Sequence, residues 1–286
     1  MSSLLVFGRS GQLGTELQRL TQLNIVALGR DQADLSDPIA CDAAIHAHTP
    51  HAVINAAAYT AVDAAESDET LATQINGAAP AVMAKACAAL QIPFVHISTD
   101  YVFAGTGTRP WRPKDSPAPQ NAYGRSKLAG EEGIRAAGGH YVILRTSWVF
   151  SAYGGNFVKT MLSLSKAHDR LNVVADQTGG PTPASAIAQA CLSIADQLGR
   201  NPAKSGTYHF SGAPDVSWYD FAHAIFATAG RNTTIHPIAT TDYPTPATRP
   251  LNSRLDCQGT EQTFGLTRPD WRTALHDVIE ELEHQT

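Results

Sequence analysis

The chain has 286 residues, 43% hydrophobic and 16% charged, a composition that excludes a disordered or fibrous protein and allows one cofactor-binding domain with a smaller unit attached. A formal charge of -5 and a pI near 6.1 argue against nucleic acid or a membrane surface as partner, so acidic ligands must be met by local arginines or helix ends. The opening run from Met1 to Gly8 is too short and too uncharged for a secretory signal, and no run approaches the ~20 apolar residues of a bilayer span, so a cytoplasmic protein is expected.

Residues 3–7 are a short apolar run leading into Gly8-Arg9-Ser10-Gly11-Gln12-Leu13-Gly14, and helical spacing follows from Thr15 to Leu20. Strand, glycine turn and helix together form a phosphate cradle. Gly8 permits the tight turn, Gly11 lets backbone approach a pyrophosphate, and Gly14 allows close packing of helix on strand. Backbone N–H groups and the helix dipole then favour an anionic dinucleotide. The spacing is Gly-x-x-Gly-x-x-Gly, with one more residue between the first two glycines than in the better-known Gly-x-Gly-x-x-Gly.

A second strand, residues 24–28, ends in Gly29-Arg30-Asp31. An acid at this strand end commonly holds the ribose 2'-hydroxyl of NAD, whereas an arginine receives the 2'-phosphate of NADP. Arg30 therefore favours NADPH, with NADH still possible because Asp31 can compete for the ribose; a plain surface arginine is the competing reading. Asp34-Leu35-Ser36-Asp37-Pro38 has helix-start chemistry and, in this architecture, passes beside the adenine. Residues 52–55 form a buried strand, and Ala56 to Thr60 supplies small residues that can lie against the cofactor or merely pack. The helix from Glu69 to Leu90 carries Asn76, either a buttress for the neighbouring strand or a solvent-facing residue.

The strand from Pro93 ends in Ser98-Thr99-Asp100, and ligands of open parallel sheets gather at such carboxyl ends. His96, inside the apolar run, reads as a core histidine. A Gly/Pro-rich loop from Gly105 to Gln120 precedes Tyr123 and Lys127, four residues apart at the start of a helix and so on one face. A cation beside a phenol pulls its pKa down from ~10, which fits a general acid for carbonyl/alcohol interconversion. Alone this spacing is a weak signal; the glycine turn and the Ser-Thr strand end upstream give it weight. A strand at residues 141–145 completes the pattern of an α/β protein: a Rossmann-type doubly wound parallel sheet over residues 1–147, with a smaller C-terminal substrate-binding domain over 148–286, some of whose segments return to the sheet. Cys41, Cys87, Cys191 and Cys257 have neither paired spacing nor clustered histidines, so they are expected as reduced packing residues, with no metal site.

Taken in order, Gly8-x-x-Gly11-x-x-Gly14, Ser98-Thr99-Asp100-Tyr101-Val102-Phe103 and Tyr123-x-x-x-Lys127 resemble the extended short-chain dehydrogenase/reductases. Four further stretches are similar to the dTDP-4-dehydrorhamnose reductase branch: Asn55 to Glu66, Arg145 to Phe150, Asp176-Gln177-x-Gly179-x-Pro181-Thr182 and Arg249-Pro250-x-Asn252-Ser253-Arg254-Leu255. The likeness runs nearly end to end. It implies reduction of a nucleotide-sugar C4 ketone with NADPH or NADH, in the synthesis of bacterial surface polysaccharide. It also implies Tyr123 as proton donor, Lys127 holding the nicotinamide ribose and depressing the tyrosine pKa, and Thr99 bonding the C4 oxygen or the phenol. Asp100 and Trp148 then contact the sugar, and Gly11, Gln12 and Leu13 line the pyrophosphate. Arg30, Asp34, Leu35, Ala58, Tyr59 and Thr60 surround the rest of the cofactor. Trp148 as a core residue, and Arg249 and Arg254 as anchors rather than diphosphate ligands, remain the competing readings.

Some members of the family bind magnesium at a dimer contact through acids after the Pro-Thr pair. Pro183-Ala184-Ser185-Ala186 has no carboxylate there, so a metal-assisted dimer is not expected and the chain is a monomer or homodimer. The nearest rival is an epimerase or dehydratase of the same fold, although Tyr101 stands where a dehydratase carries its second acid. A noncatalytic regulatory homologue is the other.

Overall fold

The computed structural model describes residues 3–20 and 24–284. Of the stretches read above, Met1, Ser2 and the last two residues lie outside that description. Five strands, β1 (Leu4–Phe7), β2 (Ile25–Leu28), β3 (Ala52–Asn55), β4 (Phe94–Thr99) and β5 (Tyr141–Thr146), form one parallel sheet with Gly206–His209, in the order Gly206–His209, β5, β4, β3, β1, β2. The order reverses at β1, so the carboxyl ends of β1, β3 and β4 border the crevice where such sheets take ligands.

Both faces of the sheet are covered, which is why its strands are apolar on both sides. Helix α1 (Gln12–Arg19) and the helix Ala184–Arg200 bury Leu13, Leu17, Ile187, Cys191 and Ile194 on one face, with Leu4, Val6 and Val95. Helix α2 (Pro38–His48) and the helices Ala79–Leu90 and Ala122–Ala137 bury Cys41, Ile45, Met83, Cys87 and Ile134 on the other. Asp37 caps α2, its carboxylate accepting from the N–H groups of Ile39 and Ala40, as its place before Pro38 suggested. All four cysteines are free and buried.

The segment expected to be one helix from Glu69 to Leu90 is broken. It runs α-helical over Glu69–Thr73, π-helical over Gln74–Ala78 and α-helical again over Ala79–Leu90. Beyond β5, a third cluster packs Phe150, Val158, Phe221, Trp271 and Leu275. The helices Phe157–Ser165, Trp218–Thr228 and Trp271–His284 build it, together with the parallel pair Arg170–Val174 and Thr234–Ile238. Neither strand of that pair figures in the sequence reading. The helix Ala184–Arg200 and the strand Gly206–His209 lie with the main sheet.

Candidate active site

Gly8 leaves β1 with φ +102°, a left-handed conformation that favours glycine, and a Cβ there would stand 2.9 Å from the Ala57 nitrogen. Gly14 is tighter still: a Cβ would stand 2.0 Å from the Gly8 carbonyl oxygen. The turn and α1 are thus pressed together, and Gly11 sits at the N-cap with no side chain taking up the first-turn N–H groups. These donors fit a pyrophosphate.

The helix Ala122–Ala137 is set by its start. Asn121 accepts from the Gly124 N–H at 2.8 Å and donates to the Thr248 carbonyl at 2.8 Å, while Glu66 accepts from the Ala122 N–H at 2.8 Å. Its glycines let it sink into its neighbours: a Cβ on Gly124 would lie 2.3 Å from the Tyr101 backbone carbonyl oxygen, and one on Gly130 2.1 Å from the Asn76 backbone carbonyl oxygen. Asn76 lies in the π-helical turn and is the buttress. It accepts from the Tyr59 N–H at 2.8 Å, and donates to the Tyr59 carbonyl and the Ser126 hydroxyl, each at 3.0 Å. The cofactor loop and the Tyr–Lys helix are thereby tied through one side chain.

Tyr123 and Lys127 face β4. Lys127 is 1% exposed and donates to the Ile97 carbonyl at 2.7 Å, with His96 Nε2 3.1 Å away. Burial lowers its pKa to about 8, against the opposite pull of Glu131. The Tyr123 phenol is pushed up to about 12 by burial, with the Thr99 hydroxyl acting to lower it and Asp100 to raise it. The expectation that Lys127 depresses this pKa is therefore corrected. The lysine nitrogen is engaged by a carbonyl and an imidazole, and the phenol's shift comes from burial, Thr99 and Asp100 instead.

Thr99 donates to Asp100 at 3.1 Å and accepts from the Tyr101 N–H at 3.1 Å. Asp100 is 3% exposed, and burial raises its carboxyl to about 6 despite the Ser253 and Thr99 hydroxyls that favour the charged form. Trp148 takes φ +50° just past β5 and stacks on Trp218, ring centres 3.5 Å apart and planes 11° off parallel. Trp218 is half-buried and donates to Gln177 at 3.2 Å.

The sequence-predicted site residues Gly8, Gly11, Gln12, Leu13, Arg30, Asp34, Leu35, Ala58, Tyr59, Thr60, Thr99, Asp100, Tyr123, Lys127 and Trp148 line one cleft of about 880 Å³. Gly14 lies behind it, in contact with the turn. Arg30 stands exposed at the cleft. Asp31 is held at 3.0 Å by Arg9, which also donates to Gln32 at 2.7 Å, so the acid beside Arg30 is already partnered. Arg249 pairs with Asp63 at 2.6 Å and so ties the C-terminal segment to the helix Val62–Ala65, whereas Arg254 donates to Asn252 at 3.0 Å, two residues before it in the same segment. Among the described residues no acid/histidine/cysteine group is placed to hold a metal. Sequence reasoning missed Trp218, which carries no motif of its own, and the contact of Asn55 Nδ2 with His96 Nδ1 at 3.1 Å, for which an asparagine ending β3 beside a histidine in β4 was a usable signal.

A parallel sheet with a glycine turn at its reversal point and a tyrosine–lysine pair across the cleft is the arrangement of the short-chain dehydrogenase/reductases. The family model described as RmlD substrate binding domain matches residues 1–284, and the chain belongs to that family. A dTDP-4-dehydrorhamnose reductase of Sinorhizobium fredii is 41% identical over 284 residues, 96% of either chain. The crystal structure of such a reductase from Clostridium acetobutylicum superposes with a TM-score of 0.92 at 37% identity, covering 98% of this chain and 99% of that one. One from Bacillus anthracis, in complex with NADP, gives a TM-score of 0.91 at 33% identity, over 98% of this chain and all (100%) of that one.

Proposed function

We propose that this protein reduces the C4 ketone of dTDP-4-dehydro-L-rhamnose to give dTDP-L-rhamnose, with NADPH as reductant, for bacterial surface polysaccharide. The observation that most supports this reading is the convergence of Tyr123, Lys127 and Thr99 with the glycine turn on one cleft. The first-turn N–H groups of α1 and the glycines at 8, 11 and 14 fit a dinucleotide, and Arg30 is the cation offered to a 2'-phosphate. When bound, NADPH supplies the hydride.

Hydride arrival places negative charge on the C4 oxygen, so donors aimed at that oxygen bind the transition state better than the ground state. Tyr123 is the proton donor. A phenol held protonated by burial keeps its proton until an oxyanion develops beside it, and transfer then leaves an alcohol and a phenolate. Thr99 steadies that phenol and Lys127 holds the nicotinamide ribose. Asp100 contacts the sugar, and the Trp148 indole gives its ring an apolar face. In this reading residues 1–147 form the cofactor side and 148–286 the substrate side, in a monomer or homodimer working in the cytoplasm.

The test is to mix purified protein, NADPH and dTDP-4-dehydro-L-rhamnose and follow the reduced-nicotinamide absorbance. Oxidation with this sugar and none with dTDP-glucose is the expected result; an unchanged signal with both overturns the assignment.

A further inference from the structure

Lys127 has a second line of contacts that its role at the ribose does not require. His96, whose Nε2 faces the lysine nitrogen, has its Nδ1 3.1 Å from Asn55 Nδ2. Asn55 in turn accepts, through Oδ1, the N–H of Ala57 in the cofactor loop at 3.1 Å. The parallel register of β3 and β4 sets Asn55 beside His96, and both are 0% exposed.

The protons along this chain can be counted. A backbone N–H only donates, so Asn55 turns its oxygen to Ala57 and its NH2 to His96. His96 Nδ1 is then the bare nitrogen. Burial and the adjoining lysine keep the ring neutral, and a neutral ring with Nδ1 bare carries its hydrogen on Nε2. That N–H points at Lys127 Nζ. An ammonium there sets donor against donor, unless the ring moves its proton to Nδ1 and meets the Asn55 NH2 instead. A neutral amine accepts the ring N–H and still donates to the Ile97 carbonyl.

We propose that Asn55 and His96 are positioning residues that set the charge of Lys127, the asparagine biasing the imidazole toward the tautomer that favours the neutral amine. The proposal rests on the reading of Lys127 as the residue that holds the nicotinamide ribose beside Tyr123. The chain runs from Ala57 to the active-site lysine, so seating the dinucleotide against residues 56–60 bears on the same hydrogen bonds.

Other charged groups on the surrounding elements are already engaged. Glu131, on the lysine's own helix, is shared by Arg145 of β5 and Arg135. Glu69 pairs with Arg125, and Asp63 with Arg249. Tyr123 lies on the same helix and is held protonated. Asp100, at the exit of β4, bonds with Thr99.

The test is nitrogen NMR of the full chain with 15N-labelled histidine, the His96 signals being those lost in His96→Gln. Both ring nitrogens are expected to shift in one step near pH 8 as Lys127 titrates, ending in the Nε2–H form on the alkaline side. Asn55→Leu, which removes the donor to Nδ1 and adds no charge, is expected to move that step up by about one pH unit, with the alkaline limb of kcat/KM following it. Asn55→Asp, which offers an acceptor to Nδ1, moves it further. An alkaline ring protonated on Nδ1 overturns the proposal, and so does a step that moves with Asp and not with Leu, since that is the added charge alone. The native titration decides even where a variant does not fold. Because it is read without turnover, its failure is distinct from failure of the reduction.

Discussion

Tyr123 shows how burial decides what a functional group holds at rest. With its phenol pushed up to about 12, the side chain is protonated throughout the physiological range. Tyr123→Phe is therefore expected to lower kcat roughly 100-fold or more while leaving NADPH binding nearly unchanged; steady-state rates beside a cofactor titration check this, and near-normal turnover would remove the assigned donor. Asp100 gives a stability prediction with a definite sign. Its folded pKa is raised from 3.8 to about 6, so between those values the native state holds a proton that the unfolded chain has lost, and stability falls as pH rises through that window. Asp100→Asn removes this fall. The variant is expected to gain on the order of 2 kcal/mol over the parent above pH 6, with the gap closing below about pH 4, in denaturant melts across that range. The spacing of Tyr123 and Lys127 was legible in the sequence because two residues four apart must share a helix face. The sign of the tyrosine shift was not, since it depends on what the fold stacks around the phenol.

At the scale of elements, small residues let backbone segments touch. Gly14→Ala would put a methyl 2.0 Å from the Gly8 carbonyl, so α1 must back away from the turn. The expected result is dinucleotide binding weakened at least about tenfold with a measurable loss of thermal stability, read by NADPH fluorescence titration and melting. The strand-turn-helix around Gly14 could be read directly, because hydrophobic period and glycine spacing are both local. The π-helical turn at Gln74–Ala78 could not. Its residues, the weak helix formers Asn76 and Gly77 among them, carry no local signal for a π turn, and the extra residue per turn accompanies a tertiary demand, the bonds from Asn76 to Tyr59 and Ser126. Asn76 as a buttress was one of two readings, and only the partner elements choose between them.

Across the whole molecule, one buried charge group joins otherwise separate parts. Glu131 is 0% exposed and accepts from Ser98 of β4 at 2.6 Å and from Arg145 of β5 at 2.6 and 2.8 Å. Burial would raise its carboxyl, and Arg145 together with Ser98 and Arg135 more than offsets that, leaving it below the usual range. Arg145 also reaches the Pro113 carbonyl at 3.3 Å and His209, on the edge strand, at 3.4 Å. Glu131→Gln leaves Arg145 buried without its counter-charge, and urea unfolding is expected to report a loss of about 3–5 kcal/mol. Arg145 opens one of the family-like stretches, but its pairing with Glu131 was not legible: a glutamate on a helix and an arginine in a strand are ordinary until the fold buries both.

The strand Gly206–His209 occupies the sheet edge beside β5, although 59 residues of chain separate the two. During synthesis from the N-terminus, β5 is therefore made with one flank of peptide groups open, and its permanent neighbour emerges only after the cluster around Phe150 and Val158 has begun to appear. A fragment stopped after residue 147 would keep that flank bare and lose the cover of Ile187, Cys191 and Ile194, leaving a sticky ledge suited to recruiting another chain. Residues 1–147 thus depend on later segments for cover of their sheet, and a fragment cut at that apparent border is expected to aggregate rather than fold as a working module.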